Sequence, residues 1–369
     1  MSHLFNRTSK FLQLLFIFFI YSNYAVAVES SSTSNIIICE DGKNTSAECN
    51  GSTTTQSAPI PKKIDDTSND KQQITLSYSG SNTWDGSGAF SSGSGAANSA
   101  FGYIALYASS GDYNTAIGTA SLRYNSGSYN SALGLETLFS SNSGSYNSAV
   151  GSRALYNNST GSYNSAFGGE ALYNNTSGGS NTASGYGALY SNTTGYYNTA
   201  IGVQALYNNT TASQNTAVGR QALRQNTTGA NNSAVGSLAL YNNTSGGSNT
   251  ASGYGALYSN VSGGYNTAFG NQALYSNYSG GSNTALGHKA LFSNTSGSGN
   301  VAIGYEAGWS ETGSNKLYIA NGSGSGSQLV YGDFSTGDLS LGQTSGTVTV
   351  LNDLSVTDSL YIGSEALTN

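Results

Sequence analysis

Hydrophobic and polar positions follow a pattern along most of this chain that repeats every 17 residues. Its most regular part is the pentapeptide Asn-(Ser/Thr)-Ala-x-Gly, which occurs thirteen times from Asn98 to Gly304, with Val301 replacing Ser/Thr in the last copy. We number each unit from its own Asn. Ala holds the third position in all thirteen units, and Leu holds the ninth in twelve. A period this short and regular predicts a solenoid, in which one small unit stacks on copies of itself.

Each unit can be divided into local elements. The pentapeptide predicts a short strand with its second and fourth side chains on one face and Ala on the other. We expect the second and fourth positions to point inward, and positions eight to ten to form a second short strand. Gly at position five permits a corner, and positions eleven to fifteen, typically Asn-Asn-Thr-Thr-Gly, predict a turn. The prediction is an all-β, parallel β-roll or β-solenoid of about thirteen 17-residue rungs over residues 98–314.

The flanking segments differ from the repeats in composition. Residues 1–27 read as a secretory signal peptide, because basic residues precede a short apolar run and small residues precede a cleavage point after Ala27. An uncleaved anchor is the alternative, although the run is shorter than the ~20 residues that a span needs. Residues 28–75 read as a polar N-terminal extension with a linker, 76–97 as a Gly/Ser-rich N-terminal cap, and 315–369 as a β-rich C-terminal cap or shaft. This predicts a secreted or cell-surface protein without a stable membrane anchor in its mature form.

Cys39 and Cys49 are the only cysteines. In an exported chain, two cysteines at this spacing most simply form one disulfide within the N-terminal extension. Two thiolates without further nearby ligands do not favour a zinc site. We therefore expect a disulfide and no metal or other cofactor.

Charge is sparse. Only 8% of the residues are charged, the formal net charge is −6, and no basic stripe is present, which argues against a nucleic-acid partner. The seventh position reads Glu136, Arg153 and Glu170 in successive units, and this alternation predicts an ion-pair ladder. The two glutamates would lie roughly 9.6 Å apart on stacked rungs, near the upper separation in inverting glycosidases. Because Arg153 lies between them, we prefer the ion-pair ladder to a catalytic pair and expect no enzyme.

The tenth position is an aromatic column and our candidate for surface contact, because tyrosine combines an apolar face with a hydroxyl group. Its candidate members are Tyr156, Tyr173, Tyr190, Tyr207, Tyr241, Tyr258 and Tyr275. The alternative is that these rings stack on one another or fill a seam between chains.

Two columns consist of asparagine. We expect the Asn side chains at positions one and twelve to form ladders along the stack. Each of the nine twelfth-position residues from Asn158 to Asn294 is followed two residues later by Ser or Thr, so each is also a formal N-glycosylation acceptor in a host that glycosylates exported proteins. The alternative is that Asn, Ser and Thr recur here because their side chains favour a turn.

The repeated Asn-Thr-Ala-Ile-Gly units resemble the head repeats of trimeric autotransporter adhesins of the YadA type and of phage tail-fibre-like proteins. This resemblance covers residues 98–363. It implies a left-handed roll and three chains side by side with their Ala-bearing faces toward the trimer axis. The chemistry of the tyrosine column indicates a glycan or a host or cell-surface protein as partner. The chain stops at Asn369 without the membrane-anchoring barrel or the self-cleaving chaperone domain of such proteins, so we do not carry over those two activities.

Together these patterns predict a secreted, non-enzymatic structural or adhesive fibre protein. One alternative is an ice-binding solenoid, which needs a regular outward grid of Thr and is disfavoured if the second position points inward. The other is a glycan-cleaving tailspike.

Overall fold

The computed structural model describes residues 25–28, 36–39, 77–79, 82–140, 143–324 and 327–342 of the chain, and these ranges contain strands and turns but no α-helix. The strands are β1 (Ala25–Val28), β2 (Ile36–Cys39), β3 (Ser77–Ser79), β4 (Asn82–Asp85), β5 (Ser99–Phe101), β6 (Ala108–Ser109), β7 (Thr115–Ile117), β8 (Tyr124–Asn125), β9 (Ser131–Leu133), β10 (Ser148–Val150), β11 (Ser165–Phe167), β12 (Thr182–Ser184), β13 (Thr199–Ile201), β14 (Thr216–Val218), β15 (Ser233–Val235), β16 (Thr250–Ser252), β17 (Thr267–Phe269), β18 (Thr284–Leu286), β19 (Val301–Ile303), β20 (Lys316–Ala320), β21 (Gln328–Asp333) and β22 (Asp338–Leu341).

The pentapeptide strands form one parallel sheet in strict register. Each residue pairs with its equivalent in the next unit, so that Ala149 lies beside Ala166 and Ala200 beside Ala217. The parallel pairing starts one strand before the first pentapeptide, at β4, and continues one strand past the last, to β20. The prediction of an all-β parallel solenoid is confirmed, with about fourteen turns of roughly 17 residues.

Antiparallel hairpins terminate the stack at both ends. At the N-terminal end β3 pairs with β4, and at the C-terminal end β20, β21 and β22 form an antiparallel meander. Because these strands turn back, the parallel pairing does not continue past them, which protects the first and last rungs from pairing with another chain.

A separate hairpin lies within the N-terminal segment, where β1 pairs antiparallel with β2. The predicted cleavage point after Ala27 falls within β1, and Cys39 ends β2. Cys49 lies outside the described residues, so the disulfide stays a prediction.

The interior of the roll is made of small residues and one leucine per rung. Ala at positions three and eight and Leu at position nine are buried in almost every rung, as Ala200, Ala205 and Leu206 illustrate with 0% exposure. The expectation that positions two and four point inward was wrong, because Ile201 is 43% exposed. The strand alternates faces, and the thin interior accepts Ala rather than the larger fourth residue. The Ala face is buried within its own roll, so it does not face a neighbouring chain as the resemblance implies.

The expected second strand at positions eight to ten was also wrong. This side of the rung consists of turns, apart from the two-residue strands β6 and β8. All twelve ninth-position leucines have left-handed φ values between +47° and +54°. Ala at eight and Leu at nine are consecutive and both buried, which a strand cannot achieve because its side chains alternate. The left-handed conformation costs about 1–3 kcal/mol, which burial of the leucine side chain, about 1.5–3 kcal/mol, offsets.

Two asparagine ladders run through the interior, as predicted. In the position-one ladder, the Asn215 amide N–H donates to Asn198 Oδ1 at 3.0 Å, and Asn215 Nδ2 donates to the Gly229 carbonyl at 2.9 Å. In the position-twelve ladder, Asn209 Nδ2 donates to Asn192 Oδ1 at 2.8 Å. Side chains that cross-link neighbouring rungs in this way satisfy polar groups that would otherwise be buried unpaired.

Candidate binding surfaces

The described residues contain neither a helix that is long and apolar enough to cross a membrane nor a group of three His, Cys, Asp or Glu that could hold a metal ion. The described part of the chain exposes three repetitive surfaces.

The first surface is the outward side of the parallel sheet, which we call the sheet face. It consists of the second and fourth positions of the strands β7 and β9–β19. The second position is mostly Thr or Ser, and the fourth is mostly apolar and exposed. Its exposed apolar members are Ile117, Leu133, Val150, Phe167, Ile201, Val235, Phe269, Leu286 and Ile303. At about 4.8 Å per rung, the strip from the first to the last is roughly 50 Å long.

The second surface is the predicted contact column at position ten, which we call the inner aromatic ladder. Its rings are half-buried and stack face to face: Tyr156 lies 5.1 Å from Tyr173 with an angle of 3° between the rings. Arg224 takes the place of an aromatic residue in one rung, with its guanidinium 5.3 Å from the Tyr207 ring and 5.9 Å from the Tyr241 ring. The ladder thus presents ring edges and hydroxyl groups outward, while its ring faces are covered by neighbouring rungs.

Burial raises the pKa of several hydroxyl groups in this ladder. Desolvation is the main cause for Tyr156, Tyr190 and Tyr258. Because an ordinary tyrosine titrates near pH 10, these hydroxyls stay protonated at neutral pH and can both donate and accept hydrogen bonds.

The seventh-position residues form one ion pair. Arg153 Nε donates to Glu136 Oε2 at 2.8 Å, and both side chains are partly exposed. Within the described ranges no ion pair joins Arg153 to Glu170. Glu170 instead lies beside the Tyr186 hydroxyl, and this carboxylate raises the pKa of Tyr186. Of the two glutamates, Glu136 is thus held in an ion pair, and Glu170 lies beside a tyrosine hydroxyl.

A third surface was not anticipated from the sequence, and we call it the outer aromatic ladder. It is formed by Tyr113, Tyr129, Tyr146 and Tyr163 at the last position of four successive units. Their rings stack at 4.9, 4.8 and 5.1 Å, and each side chain is about half exposed or more. The signal was present as a Tyr directly before the Asn of four consecutive pentapeptides. The tenth-position column is the more conspicuous pattern in the sequence, because its aromatic residues recur over more rungs.

The formal N-glycosylation acceptors at position twelve are all buried with 0% exposure, and each Nδ2 donates to a carbonyl three residues later. A glycan on this nitrogen has no space within the roll. The turn-chemistry interpretation of the motif is therefore the one that fits the folded chain.

Comparison of the chain with protein-family models, with curated proteins and with solved structures found no match in any of the three.

Proposed function

We propose that this protein is a secreted, non-enzymatic adhesive fibre protein whose roll assembles as a homotrimer and contacts a cell or glycan surface through its repetitive flanks. The sheet face is the observation that supports this proposal most directly. An exposed apolar strip tens of ångströms long exceeds what isolated soluble chains usually present, and such strips are typical of association surfaces. The resemblance of the repeats to trimeric adhesin heads and the predicted signal peptide support it further.

In the proposed trimer, the sheet faces of the three chains pack against one another and bury the fourth-position side chains. The thin interior of each rung gives a physical reason for association, because a core of Ala and one Leu per rung buries little apolar surface. Thr and Ser at position two would supply hydroxyl groups at the edges of this contact. The inner and outer aromatic ladders, neither of which is part of the sheet face, are the proposed contact surfaces.

A matched pair of substitutions tests the assembly. Ile201→Asp places a carboxylate on the sheet face, whereas Val203→Asp does the same at the neighbouring corner, where the side chain is similarly exposed (43% and 47%). Sedimentation equilibrium of the mature chain should give three times the monomer mass for the wild type and for Val203→Asp. Ile201→Asp should dissociate, because a buried unpaired charge costs several kcal/mol. A monomeric wild type, or equal behaviour of the two variants, would contradict the trimer.

The adhesive role is tested on material whose oligomeric state has been measured. We expect the trimer to bind cells or a glycan array and to show no turnover of the bound glycans. Release of cleaved product, with loss of that activity in Glu136→Gln or Glu170→Gln, would favour a glycan-cleaving protein instead.

One observation favours a second candidate, an ice-binding solenoid. The second position points outward, contrary to expectation, so that Thr182, Thr199 and Thr216 form an ordered outward column. The fourth position argues against it, since side chains from Ser184 to Phe269 give the face an uneven height. Thermal hysteresis in the wild type, reduced by Thr199→Leu, would support ice binding over a trimer seam on the same face.

A further inference from the structure

A shallow groove lies on the flank of the C-terminal half of the roll, at the last two positions of four successive units. Its volume is about 490 Å³. The floor is the sixteenth-position column and the rim is mainly the seventeenth. The lining residues used below are Ala230, Gly247, Gly264 and Gly281 on the floor and Asn231 and Tyr265 on the rim. In the N-terminal half the rim position holds the outer aromatic ladder instead.

Along the floor, three backbone N–H groups have no acceptor. In several other rungs the sixteenth residue is Ser, and its Oγ accepts the N–H of the equivalent residue one rung before: Ser162 Oγ from Ser145 at 3.1 Å, and Ser213 Oγ from Tyr196 at 3.0 Å. In the groove the next residue is Gly, so the N–H groups of Ala230, Gly247 and Gly264 have no protein acceptor within the described residues. These donors repeat at the rung spacing of about 4.8 Å.

The carbonyl groups beside these donors are already used. The Ala230 and Gly247 carbonyls accept from the amides of Ser248 and Tyr265 in the next rung, at 3.0 and 3.1 Å. The floor therefore offers donors in a row but no matching row of free acceptors. An added peptide strand needs both, because its own N–H groups also require acceptors. A ligand rich in oxygen acceptors fits this arrangement better than a peptide does.

Tyr265 stands on the rim as an isolated aromatic side chain. It is 74% exposed, and its neighbours in the same column are Ser248 and Ser282, so no other ring stacks on it within the described part of the chain. Tyr146, in the outer aromatic ladder, is covered by rings on both sides. Both faces of the Tyr265 ring are thus available to a flat apolar surface.

The lining contains no charged residue. An anionic ligand would find no basic partner, and a cation would find no carboxylate. A sugar supplies what the groove lacks, because its hydroxyl oxygens accept hydrogen bonds and the C–H face of its ring packs on an aromatic side chain. The Oγ of Ser162 and of Ser213 is itself a hydroxyl oxygen in the position that a sugar hydroxyl would take.

We propose that this groove binds a neutral, extended oligosaccharide along the roll, with hydroxyl oxygens accepting from the Ala230, Gly247 and Gly264 amides and one sugar ring against Tyr265. A β-1,4-linked chain is the best match, since its residue repeat is close to the rung spacing. This proposal rests on the adhesive function and names the ligand class for one flank. Asn231, at the N-terminal end of the rim, adds an amide that can donate to and accept from the same chain.

The test uses substitutions that other rungs of this protein already contain. The double variant Gly247→Ser/Gly264→Ser restores the Oγ acceptors and fills the floor. Neither glycine has a positive φ. The Cβ added at position 247 would lie 3.1 Å from the Ala230 oxygen, and the Cβ added at position 264 would lie 3.0 Å from the Gly247 oxygen. The neighbouring backbone therefore has to shift by only a few tenths of an ångström. Tyr265→Ser copies the neighbouring rungs and removes the ring. Tyr103→Thr, at a 57% exposed position outside the groove and both aromatic ladders, is the control and copies Thr119 of the next rung.

Binding of cellohexaose and chitohexaose to the full mature chain is measured by isothermal titration calorimetry. We expect the wild type and Tyr103→Thr to bind at least one of them, and the double variant and Tyr265→Ser to bind about tenfold more weakly or not at all. Absence of binding to both sugars in the wild type, or unchanged affinity in the double variant and in Tyr265→Ser, overturns the groove proposal.

Sedimentation and cell adhesion are measured on the same samples. A trimeric, adhesive wild type that binds neither sugar refutes the groove alone, whereas a monomeric, non-adhesive wild type refutes the proposed function.

Discussion

Replacing Asn209 with Ala should destabilise the middle of the roll far more than the same change one residue earlier. The Asn209 side chain is fully buried and makes three hydrogen bonds: Nδ2 donates to Asn192 Oδ1 at 2.8 Å and to the Ala212 carbonyl at 2.9 Å, and Oδ1 accepts from Asn226 Nδ2 at 2.9 Å. The neighbouring Asn208 is half-buried and makes one side-chain hydrogen bond, to Gln225.

The magnitude follows from which atoms lose their partners. The Ala212 carbonyl keeps a second donor, Asn198 Nδ2, at 2.9 Å. Asn192 Oδ1 and one N–H of Asn226 Nδ2 are left buried and unpaired, at about 1–3 kcal/mol each. We therefore expect a loss of about 4 kcal/mol for Asn209→Ala and no more than about 1 kcal/mol for Asn208→Ala.

Native-state hydrogen exchange is the appropriate assay, because a solenoid opens locally and a single global unfolding energy is poorly defined for it. Protection of amides in the rungs around Asn209 should fall by about a thousandfold, while amides near Ala116, many rungs away, should change little. Equal effects of Asn209→Ala and Asn208→Ala would refute the idea that the buried ladder stabilises the stack.

Three further predictions concern the corners, the C-terminal cap and the glycosylation motif. Gly219→Ala should lower the thermal unfolding midpoint strongly, because Gly219 has a φ of +134° and the added Cβ would lie 2.6 Å from the Gly236 oxygen. Gly264→Ala should lower the midpoint only slightly, because Gly264 has an ordinary φ. Similar midpoints for the two variants would contradict this reasoning. The hydrogen bond from Lys316 holds the pKa of Asp333 well below its usual range. This contribution to stability is present above the unfolded pKa of about 3.9 and is lost as pH falls below it, so amide protection in β20 and β21 should decrease from about pH 4 downward, and constant protection would count against the pair. Protein secreted by a glycosylating host should have no glycan on the nine twelfth-position asparagines in peptide mass spectrometry, and a modified site in the folded chain would exclude the buried ladder.

The stacking and the interior were largely predictable from the sequence, for a physical reason. When each residue lies beside its equivalent, one contact recurs in every rung, so Ala at position three, Leu at nine and Asn at twelve appear as columns. The orientation of the strand was not predictable from alternation alone, which allows either face to be buried. The size of the side chains explains the observed orientation, because Ala200 fits the thin interior and Ile201 does not.

The missed features have equally local causes. Consecutive buried residues such as Ala205 and Leu206 contradict a strand, yet a left-handed leucine is rare enough that a strand was expected. The groove has no positive sequence signal at all. It results from glycine at position sixteen, as at Gly247. The effect of this glycine is apparent only from rungs in which Ser145 or Ser162 accepts the amide N–H of the preceding rung.

The in-register pairing also has a consequence for how the length of such a fibre can change. Residues Ala171–Tyr190 and Ala239–Tyr258 are identical and lie 68 residues apart, which is four rungs. Unequal recombination between the corresponding coding segments would insert or delete whole rungs, and every new junction would still place Ala beside Ala and Asn beside Asn. Reach would then vary between descendants in steps of roughly 19 Å without a new core having to arise, so that selection could act on length while the fold is inherited unchanged.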